Sequence, residues 1–301
     1  MRTRQSLLDD FRSRLLNQLE ERLLCVDVGA RWGADGSLML LRDKAKLLCF
    51  DPDTEECARL QAMHPTEQIE YVPLALSSDG RDLTLHVTRE PACSSIFPPI
   101  AALHQKYPAL AVIEPVQVER VPSTTLDGYL AKGKFGKPDL FKLDTQGSEL
   151  DILHGSVDNL SRACFIDIEV EFNPIYAGQA LFSDVDLFLR KKGFALWRIQ
   201  HLVHYTHGSP PNSSAPPVTV ASYLGQLETA NPGYGQLFWG QAHYVREEYL
   251  ATSASPIDAE SARKAAVIAS AYGYWDLALM ILQKCPATTQ AAAELGGILS
   301  S

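Results

Sequence analysis

Early in the chain, short apolar runs alternate with helical stretches, and this alternation restricts the fold more than any other feature. The runs are Leu23–Val28, Lys46–Phe50 and Ile69–Pro73. A helical stretch follows each of the first two, and Asp53 is well placed to cap the second stretch at its amino end. Strand–helix–strand alternation predicts a parallel sheet with helices on its faces. Because right-handed crossovers bring the carboxyl ends of such strands to one edge, a ligand site is expected there.

The same pattern continues to about residue 250, with a proline-rich interruption at 90–115. The further predicted strands are 82–88, 116–121, 140–143, 164–170, 194–199 and 237–245. Long insertions such as 90–115 are often functional, and the same is expected of the stretch 201–236 after the penultimate strand. Residues 23–250 are therefore predicted to form one α/β domain.

Both ends of the chain are predicted to be helical additions to that domain. Residues 1–22 have apolar side chains at helical spacing, which predicts an amphipathic helix. These side chains are Leu8, Phe11, Leu15 and Leu19. Residues 251–301 contain two Ala/Leu-rich stretches joined at Gly273, which predict a small helical hairpin. We expect this C-terminal segment to be a packing appendage or the contact of a homo-oligomer.

Composition narrows the class of partner and the compartment. The 301 residues have a formal net charge of −9, so nucleic acid is not an expected partner. The six cysteines form no CxxC pair, and Cys25, Cys49 and Cys164 lie within apolar runs, which is typical of buried thiols in a reducing compartment. No apolar run approaches the ~20 residues of a membrane span. A cytoplasmic protein without a membrane segment is therefore expected.

The turn after the first apolar run, DVGARWG (27–33), is the first candidate binding site. Gly29 and Gly33 allow the backbone to approach a ligand closely, although an ordinary strand-to-helix turn would look similar. A dinucleotide site has G-x-G-x-x-G, which seats a pyrophosphate on the helix, whereas this turn has G-x-x-x-G preceded by Asp27. A carboxylate repels a pyrophosphate and attracts an ammonium group. S-adenosylmethionine, which has an ammonium, a sulfonium and no phosphate, suits this turn.

Asp51 and Pro52 end the second apolar run, 24 residues after Asp27. A carboxylate at this point can accept hydrogen bonds from both hydroxyls of a ribose, as the acid about 20 residues downstream does in dinucleotide folds. A lone acid after a strand is otherwise a cap or turn residue. The spacing to the first motif favours ribose binding.

Residues 141–149 (FKLDTQGSE) form the third candidate segment. They place Asp144 at the carboxyl end of a central strand, with Gln146 and Glu149 at the start of the next helix. Glu149 on its own could simply stabilise the amino end of that helix. So many polar side chains at one sheet edge nevertheless indicate a reaction centre beside the cofactor.

Taken together, the three segments make the chain resemble the FkbM family of class I S-adenosylmethionine-dependent methyltransferases. The segments that carry the resemblance are LLCVDVGARWG (23–33), LLCFDPDTEECARL (47–60), VPLALSSDG (72–80), VPSTTLD (121–127) and LFKLDTQGSELDILHGS (140–156). The last is the most specific, because the family has a Lys-Ile-Asp-x-Gln-Gly-x-Glu stretch there. The resemblance covers about residues 20–200.

The resemblance implies an α/β Rossmann-like fold, with a mixed sheet of seven strands, the last of them antiparallel, flanked by helices. It also implies methyl transfer to a hydroxyl oxygen, often of a sugar or a polyketide-like compound. The residues expected at the cofactor are Asp27, Gly29, Ala30, Gly33, Asp51, Pro52, Leu76, Ser77 and Asp144. Two features depart from the family: it usually has Glu where Asp51 stands, and Trp32 crowds the glycine turn.

Methyl transfer to oxygen requires positioning, and a hydroxyl acceptor also benefits from a base within hydrogen-bond reach. The candidate catalytic acids are Asp144, Glu169 and Glu171. The residues expected to bind the acceptor, a small molecule such as a sugar or glycan, are Ser94, Ser95, Gln146, Glu149, His201 and His204. A divalent metal on Asp144 and Glu169 is an alternative that the sequence does not favour, and the histidines after residue 200 are expected to be solvated rather than to bind zinc.

Two other functions are compatible with this sequence. A nicotinamide-dependent oxidoreductase would use a similar sheet edge, but the missing middle glycine argues against it. A catalytically silent protein could keep the cofactor fold and dock a partner through its C-terminal helices. The favoured hypothesis is an S-adenosylmethionine-dependent O-methyltransferase.

Overall fold

The alternating apolar runs form strands, and the stretches between them form helices, in a computed structural model that describes residues 2–133, 135–206, 218–221, 227–230, 235–251 and 257–301. The strands are β1 (Leu23–Val28), β2 (Ala45–Phe50), β3 (Ile69–Val72), β4 (Ala75–Leu76), β5 (Leu83–Thr88), β6 (Pro115–Val121), β7 (Ser123–Thr124), β8 (Leu140–Leu143), β9 (Phe165–Glu171), β10 (Phe194–Tyr205), β11 (Val218–Ala221), β12 (Leu227–Ala230) and β13 (Gln236–Arg246). The α-helices are α1 (Arg4–Asn17), α2 (Gly36–Met39), α3 (Thr54–Met63), α4 (Leu103–Lys106), α5 (Leu126–Gly133), α6 (Glu149–His154), α7 (Val157–Leu160), α8 (Phe182–Lys191), α9 (Ala259–Ala271), α10 (Trp275–Gln283) and α11 (Thr289–Ser300).

The main sheet has seven strands in the order β10-β13-β9-β8-β1-β2-β3 within the described residues. Strands β3, β2, β1, β8 and β9 pair in parallel, and β13 pairs antiparallel with both β9 and β10. This confirms the expected mixed sheet with an antiparallel last strand. The chain runs outward from β1 to β3 and then returns to the other side of β1 as β8. The carboxyl ends of β1 and β8 therefore flank the topological switch point, where such sheets bind ligands.

Helices cover both faces of the sheet, which explains why β1 is buried along its whole length and is apolar except at Asp27. On one face, Leu8 and Phe11 of α1 share an apolar cluster with Cys25 of β1 and with Ala266 and Ile268 of α9. The terminal segments therefore pack on the same face of the sheet. No described helix has the length and apolar character that crossing a bilayer would require.

The C-terminal segment differs from the predicted two-helix hairpin, because a third helix, α11, follows α10. Its sequence contains Gly296 and Gly297, and no side chain caps its amino end. Ala292 and Leu295 bury against the cluster that α1 and α9 share. Tertiary packing therefore contributes to the stability of this helix.

The insertion after β5 folds over the carboxyl edge of the sheet. β5 and β6 pair as an antiparallel ribbon, and the chain between them contains α4 and two short 3₁₀ helices. Tyr107 and Leu110 of the insertion pack with Tyr176 and Phe238 in a small apolar cluster. The strand predicted at 194–199 continues to Tyr205 as β10. Most of the expected pocket-shaping stretch 201–236 lies outside the described residues.

Candidate functional site

A cleft of about 260 Å³ opens at the carboxyl edge of the sheet, over the ends of β1, β2 and β8. Its walls come from the turn after β1, the end of β2, the segment around β4, the insertion after β5 and the turn after β8. The sequence-predicted residues that line it are Gly29, Gly33, Asp51, Pro52, Leu76, Ser94, Asp144 and Gln146. The fold therefore brings all three candidate segments to one cavity.

The glycine turn is held close to the end of β8. Gly29 has φ +84°, and a Cβ on it would lie 1.8 Å from the backbone oxygen of Asp144. The backbone N–H groups of Gly29 and Ala30 donate to the carbonyl oxygen of Phe50 at 2.9 and 3.2 Å. Ala30 is buried beneath the turn and does not line the cleft. Glycine is required at position 29 because any side chain would collide with β8.

Asp27 lies beneath the cleft, where its side chain is buried. Its Oδ2 accepts a hydrogen bond from the backbone N–H of Asp35 at 2.9 Å, and its Oδ1 has no hydrogen-bond partner among the described residues. Lys142 Nζ lies 3.8 Å from that free oxygen. Burial raises the pKa of Asp27 to about 6, although Lys142 opposes this shift. Asp27 thus faces Lys142, and not the cavity.

The raised pKa of Asp27 predicts how stability depends on pH. Folded protein binds the Asp27 proton more tightly than unfolded protein, so stability is highest below the unfolded pKa and falls as pH rises towards the folded value. We expect the free energy of unfolding of wild type to fall by about 2–3 kcal/mol relative to D27N between pH 4 and pH 6. Urea unfolding of both proteins at several pH values measures this difference, and a difference that does not vary with pH would contradict the assignment.

Asp51 closes the β2 side of the cleft. Its Oδ1 accepts a hydrogen bond from the backbone N–H of Asp53 at 2.9 Å, and its other oxygen makes no hydrogen bond with the residues that the structure describes. Burial raises the pKa of Asp51. Arg31, which pairs with Asp53 at 2.7 Å, is the nearest cationic side chain acting on it. A fixed carboxylate with a free oxygen matches the predicted role of binding ribose hydroxyls.

Asp144 and Gln146 form the opposite wall, together with Lys142. The Lys142 ammonium lies 3.3 Å from Asp144 Oδ2. Gln146 adopts the left-handed backbone region, with φ 58°, and its Nε2 donates to Asp144 Oδ1 at 3.2 Å and to Glu169 Oε2 at 2.8 Å. The hydroxyl of Tyr176 lies 2.7 Å from the backbone oxygen of Cys93 and 3.1 Å from Gln146 Oε1, and it can donate its one hydrogen to either. A strained glutamine thus joins Asp144, which lines the cleft, to the fully buried acid Glu169.

Glu169 and Glu171 lie beneath this wall, and neither lines the cleft. Burial raises the pKa of both carboxyl groups well above the usual range, and their neighbours Asp144 and Glu149 add to the shift. Glu149 is also buried, and its Oε1 accepts hydrogen bonds from the backbone of Thr145 at 2.6 Å and of Gly147 at 3.3 Å. Glu149 therefore stabilises the turn after β8.

Several other predicted site residues lie away from the cavity. Ser77 is buried, and its Oγ accepts from the backbone N–H of Gly80 at 3.0 Å. Ser95 Oγ donates to the backbone oxygen of Gln146 at 2.7 Å, which supports the strained turn. His201 and His204 are exposed on β10 and do not line the cleft. His207 is outside the described residues, and among those described no three His, Cys, Asp or Glu side chains are grouped as metal ligands.

The cleft also contains four side chains, three of them charged, that were not predicted to bind a ligand. Lys142, Asp35, Arg31 and Trp32 all line it. Trp32 is 61% exposed and has φ 71°. Its side chain therefore lines the mouth of the cavity and does not pack over the turn. Lys142 could have been found from its spacing, because residues two apart on a strand project to the same face and Lys142 stands two before Asp144.

Comparison with known proteins agrees with this architecture. The methyltransferase FkbM domain matches residues 27–196, which is more than half of the chain and includes every segment of the cleft. The chain belongs to the FkbM methyltransferase family. A relative is the 2-O-methyltransferase NoeI of Sinorhizobium fredii, 26% identical over 159 residues. The match covers 51% of this chain and 65% of that protein, so it spans less than two thirds of the relative.

Solved structures with distant overall similarity are methyltransferases as well. The precorrin-6y C5,15-methyltransferase of Geobacter metallireducens GS-15 is 11% identical, with 78% of this chain and 87% of that chain covered and a TM-score of 0.34. The magnesium protoporphyrin IX methyltransferase of Synechocystis PCC 6803 is 13% identical, with 80% and 79% covered and a TM-score of 0.34. The fold of the present chain is identified by its strand order and family membership, not by these values.

Proposed function

We propose that this protein transfers the methyl group of S-adenosylmethionine to a hydroxyl oxygen of a sugar or another small molecule. The observation that carries the proposal is one cleft, in a chain of the FkbM family, with Asp51 placed for a ribose at one end and Asp144 lining the other end. In this proposal the methyltransferase domain is residues 23–250, and residues 1–22 and 251–301 are helical additions packed on it.

The side chains of the cleft fit S-adenosylmethionine better than a dinucleotide. Asp51 has a free oxygen for the ribose hydroxyls, and Gly29 keeps the cavity open where the first turn meets β8. Asp35, Asp51 and Asp144 line the walls, and three carboxylates would repel a pyrophosphate but not a ligand with a sulfonium and an ammonium. When bound, S-adenosylmethionine supplies an electrophilic methyl group. The family membership favours this chemistry over hydride transfer.

Asp144 is the acid that we assign to the acceptor hydroxyl. It is the member of the predicted catalytic trio that lines the cavity, and Lys142 and Gln146 fix both of its oxygens. A base held in this way can take the proton of the acceptor hydroxyl, whose oxygen would replace the sulfur of S-adenosylmethionine on the methyl carbon and release S-adenosylhomocysteine. Glu169, whose pKa is raised by burial, is expected to stay protonated and to position Gln146.

A hydroxyl on a small polar molecule is the acceptor that we favour. The relative NoeI is named as a 2-O-methyltransferase. The mouth of the cleft also offers Trp32 as an aromatic surface, with the polar groups of Ser94 and Gln146 nearby. Apolar faces combined with a few fixed polar groups are typical of small-molecule sites. Nucleic acid remains an unexpected partner for a chain with a net charge of −9.

The proposal is tested by incubating the protein with S-adenosylmethionine labelled in its methyl group and a panel of sugars and glycans. We expect the label to enter at least one acceptor that has free hydroxyls, and not the same compound with those hydroxyls blocked. Mass spectrometry of the acceptor measures the gain of one methyl group. A protein that binds the cofactor but labels nothing in the panel would instead support the catalytically silent alternative.

A further inference from the structure

The cleft has more carboxylates than cationic side chains, although a ligand that ends in an amino acid would bring a further carboxylate. Carboxylates dominate the lining, with Asp35, Asp51 and Asp144. The amino-acid end of S-adenosylmethionine has an ammonium and also a carboxylate, and a carboxylate in a confined site needs a cation or several N–H donors. Among the described residues, the cationic side chains of the lining are Arg31 and Lys142.

Arg31 already has contacts with Asp53, after β2, and with Trp32 in its own loop. Its Nη2 pairs with Asp53 Oδ2 at 2.7 Å, and its guanidinium lies 5.7 Å from the ring centroid of Trp32. Its Nε is buried and has no hydrogen-bond partner among the described residues. Arg31 is thus the competing candidate, but it stands on the Asp51 side of the cleft, where the ribose is expected.

Lys142 is held at the base of the cleft by acids on both sides. Its Nζ lies 3.3 Å from Asp144 Oδ2 and 3.8 Å from Asp27 Oδ1. In the sheet register, Lys142 stands between Asp27 on β1 and Asp167 on β9. Burial alone would lower the pKa of Lys142, but Asp144, Asp27 and Asp167 together raise it. The side chain is therefore a cation fixed in place before any ligand arrives.

Lys142 also has N–H donors that make no hydrogen bond within the described residues. An ammonium has three N–H donors, and within the described part of the chain one of them makes a hydrogen bond, to Asp144. A second ammonium brought beside Lys142 would be repelled, whereas a carboxylate would gain a charge-assisted hydrogen bond. The position of Lys142, one residue before the end of β8 and beside the glycine turn, is at the end of the cleft opposite Asp51.

We infer that Lys142 binds the carboxylate of the amino-acid end of S-adenosylmethionine. This inference rests on the proposed function. It makes Asp27 a positioning residue, whose buried carboxylate fixes the ammonium of Lys142 and does not touch the ligand. It also divides the charged residues of the cleft into an acid at the ribose, an acid at the acceptor and a cation at the amino-acid carboxylate.

The test compares S-adenosylhomocysteine with its decarboxylated analogue, which keeps the ammonium and lacks only the carboxylate. Calorimetry on wild type is expected to show a preference of about 10- to 100-fold for S-adenosylhomocysteine, because one charge-assisted hydrogen bond is lost in the analogue. In K142M the preference is expected to fall to about threefold or less. R31M, the matched control, is expected to keep the wild-type preference.

The outcomes separate this inference from the proposed function. Wild type that binds neither compound would overturn both. Wild type that binds both compounds, with the preference kept in K142M or lost in R31M, would overturn the assignment of Lys142 alone. If K142M does not fold because Asp27 is left buried without a cation, the double variant D27N/K142M removes that charge, and the same loss of preference is expected.

Discussion

Asp144→Asn is expected to lower kcat for methyl transfer by about 100- to 10,000-fold, the range typical of losing a general base. The amide has the shape of the carboxylate and keeps one acceptor oxygen for Gln146, so the turn after β8 keeps its conformation, while Lys142 loses its hydrogen bond to Asp144. Because an amide cannot take the proton of the acceptor hydroxyl, the loss should appear in kcat, while the affinity for S-adenosylhomocysteine changes by less than about tenfold. Asp144→Ala should lose transfer at least as fully while retaining the fold.

Two variants separate a base from a charged neighbour. Asp43, whose side chain is 82% exposed and does not line the cleft, serves as a control, and D43N should transfer methyl groups like wild type. Glu169→Gln tests the buried acid, because burial raises the pKa of Glu169 and so favours the protonated form, which glutamine resembles. We expect E169Q to keep kcat within about tenfold of wild type. Normal turnover in D144N would contradict Asp144 as the base, and a collapse of turnover in E169Q together with normal turnover in D144N would assign the base to Glu169.

Gly29→Ala is expected to destabilise the protein by about 2–5 kcal/mol, from a left-handed backbone angle combined with overpacking. The added methyl group would lie 1.8 Å from the backbone oxygen of Asp144 and 2.8 Å from its carbonyl carbon. The turn or the end of β8 must therefore move, and either movement displaces a wall of the cleft. Chemical unfolding and calorimetry with S-adenosylhomocysteine measure the two effects.

Gly36→Ala provides the matched control for this substitution. Gly36 begins α2 in the same segment, and nothing lies within 4 Å of the position that its Cβ would take. We expect G36A to change stability by less than about 1 kcal/mol and to bind S-adenosylhomocysteine like wild type. Equal stability and equal affinity in G29A and wild type would show that the first turn does not abut β8 as described.

The strands that flank the cleft could be predicted because each is buried on both faces. β1 and β8 have the bounds that their apolar runs indicate, since a central parallel strand is apolar on both faces, apart from Asp27 and Lys142 here. The cap at Asp53 was equally local, because its side chain accepts from the backbone N–H of Glu56, three residues on. Features that depend on residues close together in the chain could thus be predicted from the sequence.

Features that depend on contacts between residues far apart in the chain could not be predicted from the sequence. β10 continues past residue 199 because β13 pairs with it as far as Tyr205, despite register shifts near Gln200 and Val203. Ser95 was predicted to bind the acceptor, but its hydroxyl is used by Gln146, which is 51 residues away in sequence. Which acid of a cluster reaches the cavity depends on such contacts. The sequence could name Asp144, Glu169 and Glu171 together, and only the fold separates them.

The position of the transferred methyl group tests the central claim most directly. Wild-type protein, S-adenosylmethionine with a ¹³C methyl group and an acceptor found in the panel should yield a product whose labelled carbon is bonded to oxygen, as its carbon chemical shift and its coupling to the neighbouring sugar proton will show. D144N should yield little of this product in the same time. A labelled carbon bonded to nitrogen or carbon, or a product formed equally well by D144N, would contradict transfer to a hydroxyl assisted by Asp144.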